Sequence, residues 1–197
     1  MTRKAHRVSV YIDNSNVFKL IEDINKSLPS PLKWSKSYDP LFLANVLAGP
    51  RQLVKTNFYC TPPPEYLKSK LTKDGHKIYW IQTSYFEEIK KMKDVELKYG
   101  YLTGPIDDLH EKNLDSQIIT DMQKHAYADV YDTAVLVAGD GDYLSVVRAV
   151  KETGKRVELV YFGGHGSMSL MQECDLTRRF RKSFVKSLPF SYNETTP

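Results

Sequence analysis

The stretch LVAGDGDY, residues 136–143, runs an apolar segment into two aspartates one residue apart, Asp140 and Asp142. Read with the residues before it, TAVLVA (133–138) is a strand buried on both faces, because it offers no alternating polar position to water. Such strands belong to parallel sheets covered by helices on each side. YLSVVRAVKET (143–153) then predicts a helix stopped by Gly154, and RVELVYF (156–162) predicts the next strand. Strand, helix and strand in that order predict a parallel crossover, right-handed by the sterics of twisted strands.

Working outward, VSVYI (8–12) is a short β-branched and aromatic run ending at Asp13-Asn14-Ser15-Asn16. Val17, Leu20, Ile21 and Ile24 follow at helical spacing. Asp39 and Pro40 offer an N-cap and a first-turn proline for a helix through Leu47, closed by Gly49-Pro50. QLVKTNFYC (52–60) predicts a second strand, and after Pro62-Pro63-Pro64 the polar run 65–74 predicts a short surface helix. HKIYWIQ (76–82) predicts a third strand, and VELKYGYL (95–102) an edge strand, while FEEIKKMK (86–93) fits helix or loop. From Glu111 to about Ala128 the pattern is helical, and another helix is expected from about Ser167. The expected fold is α/β, with a mainly parallel central sheet flanked by helices.

At 197 residues and 41% hydrophobic content the chain supports one sizeable core, and a single domain over 1–190 with a short tail at 191–197 is expected. Cys60 and Cys174 lie in no zinc or disulfide pattern, which suits a reducing cytoplasm. No signal peptide or membrane-length apolar segment is read in the sequence, so no membrane contact is expected. The net charge of +4 mildly favours an anionic partner.

In a parallel sheet the strands end on one side, and ligands bind in the crevice outside those ends. Asp13 ends the first strand, Asp140 and Asp142 follow TAVLVA, and Asp115 opens the helix leading into that strand. If the two strands are neighbours, topology draws four carboxylates toward one crevice. Like charges there raise one another's pKa unless a cation compensates. Oxygen-only ligands suit Mg²⁺ or Mn²⁺, and such an ion can activate water against a phosphodiester. The plainer alternative is that Asp140-Gly141-Asp142 only forms a turn whose Asp142 caps the helix starting at Tyr143.

Three stretches, VYIDNSNVF (10–18), EKNLDSQIITDM (111–122) and YDTAVLVAGDGDYLSVVRAVKETGKRVELVYF (131–162), together resemble the NYN domain family, in its LabA-like branch of PIN-like nucleases. SMSLMQECDLTRRF (167–180) is a weaker echo. The resemblance implies a PIN-like three-layer sandwich and a Mg²⁺- or Mn²⁺-dependent ribonuclease, an endoribonuclease by expectation. It implies Asp13, Asp115, Asp140 and Asp142 as metal-binding and catalytic acids, and Asn14, Asn16 and Lys112 as substrate contacts. Asp121, six residues beyond Asp115, is expected to cap, pair or act at one remove from the ion instead, because that spacing carries it about 9 Å along a helix. Asp132, at the opposite end of its strand, is expected to be structural. The family's usual Ser is Ala138 here, and residues 60–104 match no motif.

Backbone contacts are expected from lysines 68, 70, 73, 90, 91 and 93 and from RRFRKSFVK (178–186). In the latter, Arg178, Arg179, Arg181 and Lys182 interleave with Phe180 and Phe184, which suits single-stranded RNA, although a solvated helix end fits the same residues. GGHGS (163–167) resembles a phosphate loop but lacks GxGxxG spacing and a Walker lysine. Two other readings remain beside the nuclease: an RNA-binding adaptor on the same fold, and a DxD phosphatase or Toprim-like enzyme. A homodimer is left open.

Overall fold

The computed structural model describes residues 5–26, 38–70, 73–105, 108–162 and 166–180. Six strands form one parallel sheet: β1 (Arg7–Asp13), β2 (Gln52–Cys60), β3 (Val95–Tyr99), β6 (Thr133–Val137), β7 (Arg156–Phe162) and β8 (Leu176–Phe180). Two three-residue strands, β4 (Tyr101–Thr103) and β5 (His110–Lys112), make a separate antiparallel hairpin. The order β3-β2-β1-β6-β7-β8 means the chain builds outward from β1 on one side, then restarts on its other side. The gap between the carboxyl ends of β1 and β6 is therefore the topological switch point, where α/β sheets bind ligands.

Helices cover both faces, which is why the central strands carry apolar residues at successive positions. On one face α1 (Asn14–Lys26), α2 (Pro40–Ala48) and α3 (Lys73–Lys91) enclose Val8, Val10, Ile12, Phe58, Val135 and Val137. On the other, α4 (Leu114–Tyr127), α5 (Leu144–Glu152) and α6 (Met168–Glu173) enclose Tyr11, Tyr59, Ala134, Leu136 and Leu159. The period of two along β1 sends Ile12 to the first face and Tyr11 to the second. The observed architecture is the expected three-layer α/β sandwich. Asp39 caps α2 as its sequence predicts, accepting from the N–H groups of Leu41 and Phe42 at 2.8 and 3.0 Å.

Three segments differ from expectation. The segment 76–82, expected as a strand, lies inside the 19-residue helix α3. Its Ile, Tyr and Trp content mimics a strand over seven residues, but Tyr79, Tyr85, Phe86 and Ile89 are buried at helical spacing over the longer window. The polar run after the prolines is a 3-10 turn over Glu65–Lys70 rather than a helix to residue 74. Residues 178–180, the described part of the run that also fitted a helix end, lie in the edge strand β8. Its exposed Arg179 places charge on an edge that is unpaired among the described residues, which discourages further strand addition.

Glu158, only 5% exposed, ties β7 to the first strand-building half. It accepts from Arg51 Nη1 and Nη2 at 2.6 and 3.1 Å and from Arg178 Nη2 at 2.6 Å. Replacing Glu158 with Leu leaves two partly buried guanidiniums without their carboxylate. The expected loss, discounted for the exposure of the arginines, is about 2 kcal/mol in urea unfolding.

Candidate active site

Asp13 is 3% exposed at the carboxyl end of β1, on the α4 face like Tyr11 two residues before it. It caps α1: Oδ1 accepts from the N–H groups of Ser15 and Asn16 at 3.0 and 3.3 Å. Its Oδ2 accepts from the Asn16 amide at 2.5 Å and from the Tyr143 hydroxyl at 3.1 Å. The same hydroxyl donates to Asp115 Oδ1. Asp13 and Asp115, 102 positions apart in sequence, thus meet across one phenol oxygen.

Asp115 is held there by the packing of α4. Tyr59 and Lys98 donate to Asp121 at 2.7 and 2.5 Å, so Asp121 pairs, as expected, rather than facing the crevice. The Tyr11 hydroxyl meets His125 Nδ1 at 2.8 Å, and Tyr131 donates to the Met122 carbonyl at 2.8 Å. Asn113, in the left-handed region with φ 72°, turns the chain from β5 into α4, so that Asp115 falls in the first helical turn. Asp132 is structural, accepting from the Arg7 backbone and guanidinium at the amino end of β1.

Burial is the main force on Asp13, and the nearby charges of Glu111 and Asp115 add to it; against the Asn16 hydrogen bonds they push its pKa up to about 6. Burial and the two carboxylates raise the Tyr143 phenol, which stays a proton donor. Glu111 is an acid that the sequence reading missed. The β4–β5 hairpin folds it onto α1, where Ser15 Oγ contacts Oε1 and Oε2 at 2.9 and 2.7 Å. Its only signal in sequence is its place in EKNLD, and nothing there reveals the hairpin.

Asp140 and Asp142 are both exposed on the turn after β6. Asp140, rather than the expected Asp142, is the cap here: it accepts the Asp142 N–H at 3.1 Å, and no side chain caps α5. The turn carries Tyr143 to the two joined acids and is held from below by the Ser167 N–H, which donates to the Gly139 carbonyl at 3.0 Å. Among the described residues no three His, Cys, Asp or Glu side chains meet closely enough to hold an ion by themselves. What the structure gathers is a carboxylate pair, Asp13 buried and Asp115 exposed. Such a pair fits Mg²⁺ or Mn²⁺, which bind through one or two carboxylates and keep several waters.

The expected substrate contacts separate. Asn14 is buried on the opposite face, its amide oxygen accepting from Tyr38 at 3.0 Å, and Asn16 is committed to Asp13. Both therefore build the site from behind. Lys112 is exposed on β5, across from Tyr101. Arg178 turns toward α2, where Nη2 donates to Glu158 and Nη1 to the Leu47 carbonyl at 3.3 Å, a structural pairing. Arg179 is exposed on β8. Arg181, Lys182, Phe184 and residues 163–165 of the glycine-rich loop lie outside the described residues. In the segment that matched no motif, Lys68 Nζ stands 4.5 Å from the half-exposed Trp80 ring, a cation–π pair.

The fold recurs in a crystal structure of VPA0982, a protein of unknown function from Vibrio parahaemolyticus RIMD 2210633. The match has a TM-score of 0.61 and 17% identity, covering 92% of this chain and 98% of that one. A Sinorhizobium fredii (strain NBRC 101917 / NGR234) protein known only as uncharacterized protein y4oD is 32% identical over 101 residues. That match covers 50% of this chain and 46% of the relative's length. The family model of the NYN domain matches residues 7–180, from the first residue of β1 to the last of β8. Sheet, switch point and family match coincide over the same residues, and the chain belongs to the NYN domain family, with its nuclease-like PIN fold.

Proposed function

We propose that this chain is a ribonuclease that hydrolyses phosphodiester bonds of single-stranded RNA, endonucleolytically and with Mg²⁺ or Mn²⁺, in a cytoplasmic setting. The observation that carries the reading is the pairing of buried Asp13 with Asp115 at the switch point. Two acids held together there store electrostatic repulsion that a divalent cation relieves. When bound, the ion supplies an activated water and offsets charge developing on the phosphate. Asp13 and Asp115 would hold it, and Asn16 and the first turn of α1 fix the Asp13 carboxylate. The exposed Asp140 and Asp142 border the same crevice, where they suit outer contacts through water. The exposed Lys112 suits attraction of the RNA backbone, and Arg179 suits a peripheral charge.

One observation favours a second reading, an RNA-binding adaptor with weak catalysis: Asp140 and Asp142 are exposed and do not complete a three-acid cluster with the Asp13–Asp115 pair. Cleavage of end-labelled single-stranded RNA and matched DNA in Mn²⁺, Mg²⁺ or EDTA separates the two. The nuclease reading expects metal-dependent RNA cleavage, falling at least a hundredfold in Asp115→Asn. RNA binding without cleavage by the unaltered protein would support the adaptor.

A further inference from the structure

A phenol has one hydrogen to give, and Tyr143 faces two carboxylates. Its ring is fully buried in the cluster formed by Leu114, Ile118, Val147 and Leu170, so packing fixes where the hydroxyl stands. The hydroxyl oxygen lies 3.1 Å from Asp13 Oδ2 and in closer contact with Asp115 Oδ1. The shared hydrogen therefore serves Asp115 first.

Asp13 has no acceptor site to spare. Two backbone N–H groups occupy Oδ1, and the Asn16 amide and the Tyr143 hydroxyl occupy Oδ2. A carboxylate accepts about four such contacts. A cation that approaches Oδ2 takes the place of one donor, and at 3.1 Å against 2.5 Å the Tyr143 contact is the weaker.

Resting on the metal-dependent reading above, we propose that Tyr143 is a positioning residue that holds the ion's place. Its hydroxyl bridges Asp13 and Asp115 in the metal-free protein, then releases Asp13 and keeps Asp115 when a divalent cation binds. The consequence follows from counting contacts. Tyr143→Phe removes from the metal-free state one hydrogen divided between two carboxylates, and from the loaded state the same hydrogen given to Asp115 alone. The weaker Asp13 share is the difference, so Mn²⁺ binds more tightly, by about threefold for roughly half of one hydrogen bond to a charged acceptor. The remaining Tyr143–Asp115 contact is lost from the loaded site, so turnover at saturating Mn²⁺ falls.

The test is Mn²⁺ titration of wild type and Tyr143→Phe at pH 7.5, read by calorimetry and by the paramagnetic resonance of free Mn²⁺. Tighter binding together with lower kcat at saturating Mn²⁺ is the expected split, and a residue that only fills the core would leave the affinity unmoved. Unchanged or weaker binding in the variant, with wild type binding normally, overturns the proposal and leaves the metal reading intact. Absence of Mn²⁺ binding in wild type overturns both. If the Phe variant does not fold, the ultraviolet difference spectrum of wild type on Mn²⁺ addition decides. A tyrosine difference band is expected, and a flat spectrum overturns the proposal.

Discussion

Asp13→Asn is expected to make the metal-free protein more stable at pH 8 while abolishing cleavage. Burial and the charges of Glu111 and Asp115 raise the Asp13 pKa from an ordinary 3.8 to about 6 in the folded chain. A raised acid binds its proton more tightly folded than unfolded, so its contribution to stability is fully present below pH 4. It is lost as pH climbs through about 6. At about 1.36 kcal/mol per pKa unit, that interval is worth about 3 kcal/mol. Asparagine is neutral throughout and keeps an oxygen for the Ser15 and Asn16 N–H groups, with the Asn16 amide turning to receive the new donor. Urea unfolding in EDTA from pH 4 to pH 8 is the check. The unaltered protein should lose stability across that range and the variant much less, so that their order is widest apart at pH 8. A variant less stable than wild type at pH 8 would mean that the Asp13 charge is not a burden in the fold.

Gly100→Ala should cost about 2 to 3 kcal/mol and lower cleavage at least tenfold, without touching an acid. Gly100 joins β3 to the β4–β5 hairpin, and its N–H donates to the Cys60 carbonyl at 2.9 Å. A Cβ there would stand 2.6 Å from Thr61 Oγ1, 2.9 Å from the Lys112 carbonyl oxygen and 3.1 Å from Leu114 Cδ1. Thr61 can give by rotation, but the Lys112 carbonyl is backbone at the mouth of α4. Relief therefore moves the hairpin that carries Glu111 and Lys112, or the first turn of α4 that carries Asp115. Thermal unfolding and single-turnover cleavage, measured together, check both parts. Full activity with lowered stability would show that the hairpin can shift without disturbing the carboxylate pair.

Much of this site was legible in the sequence because strand ends in a parallel sheet are topologically constrained. Asp13 and Asp140 each terminate an apolar run, and once β1 and β6 are neighbours their ends must border one crevice. Asp115 was legible for the same reason, as the opening of a helix that runs back antiparallel to the sheet. The residues that join and tune these acids were less so. Tyr143 reads as an ordinary helix-start aromatic after a capped turn, and only the docking of α4 brings an acid to each side of its hydroxyl. Glu111 depends on a three-residue hairpin whose strands are too short to carry a periodic signal. The misread segment 76–82 shows the same limit from the other direction, since aromatic and β-branched residues suit a strand until the window spans the whole buried stripe of α3.

The sequence by itself determined the α/β order, the parallel sheet, the family and the acids at the strand and helix ends, because burial on both faces and chain direction are written in local patterns. The tertiary structure alone decided which acids meet. Asp13 and Asp115 share a phenol, Asp140 is used in capping its own turn, and Arg178 spends its charge on Glu158. Those outcomes depend on the distance between side chains far apart in sequence, set by the way two helical layers pack on one sheet, and no local pattern encodes it.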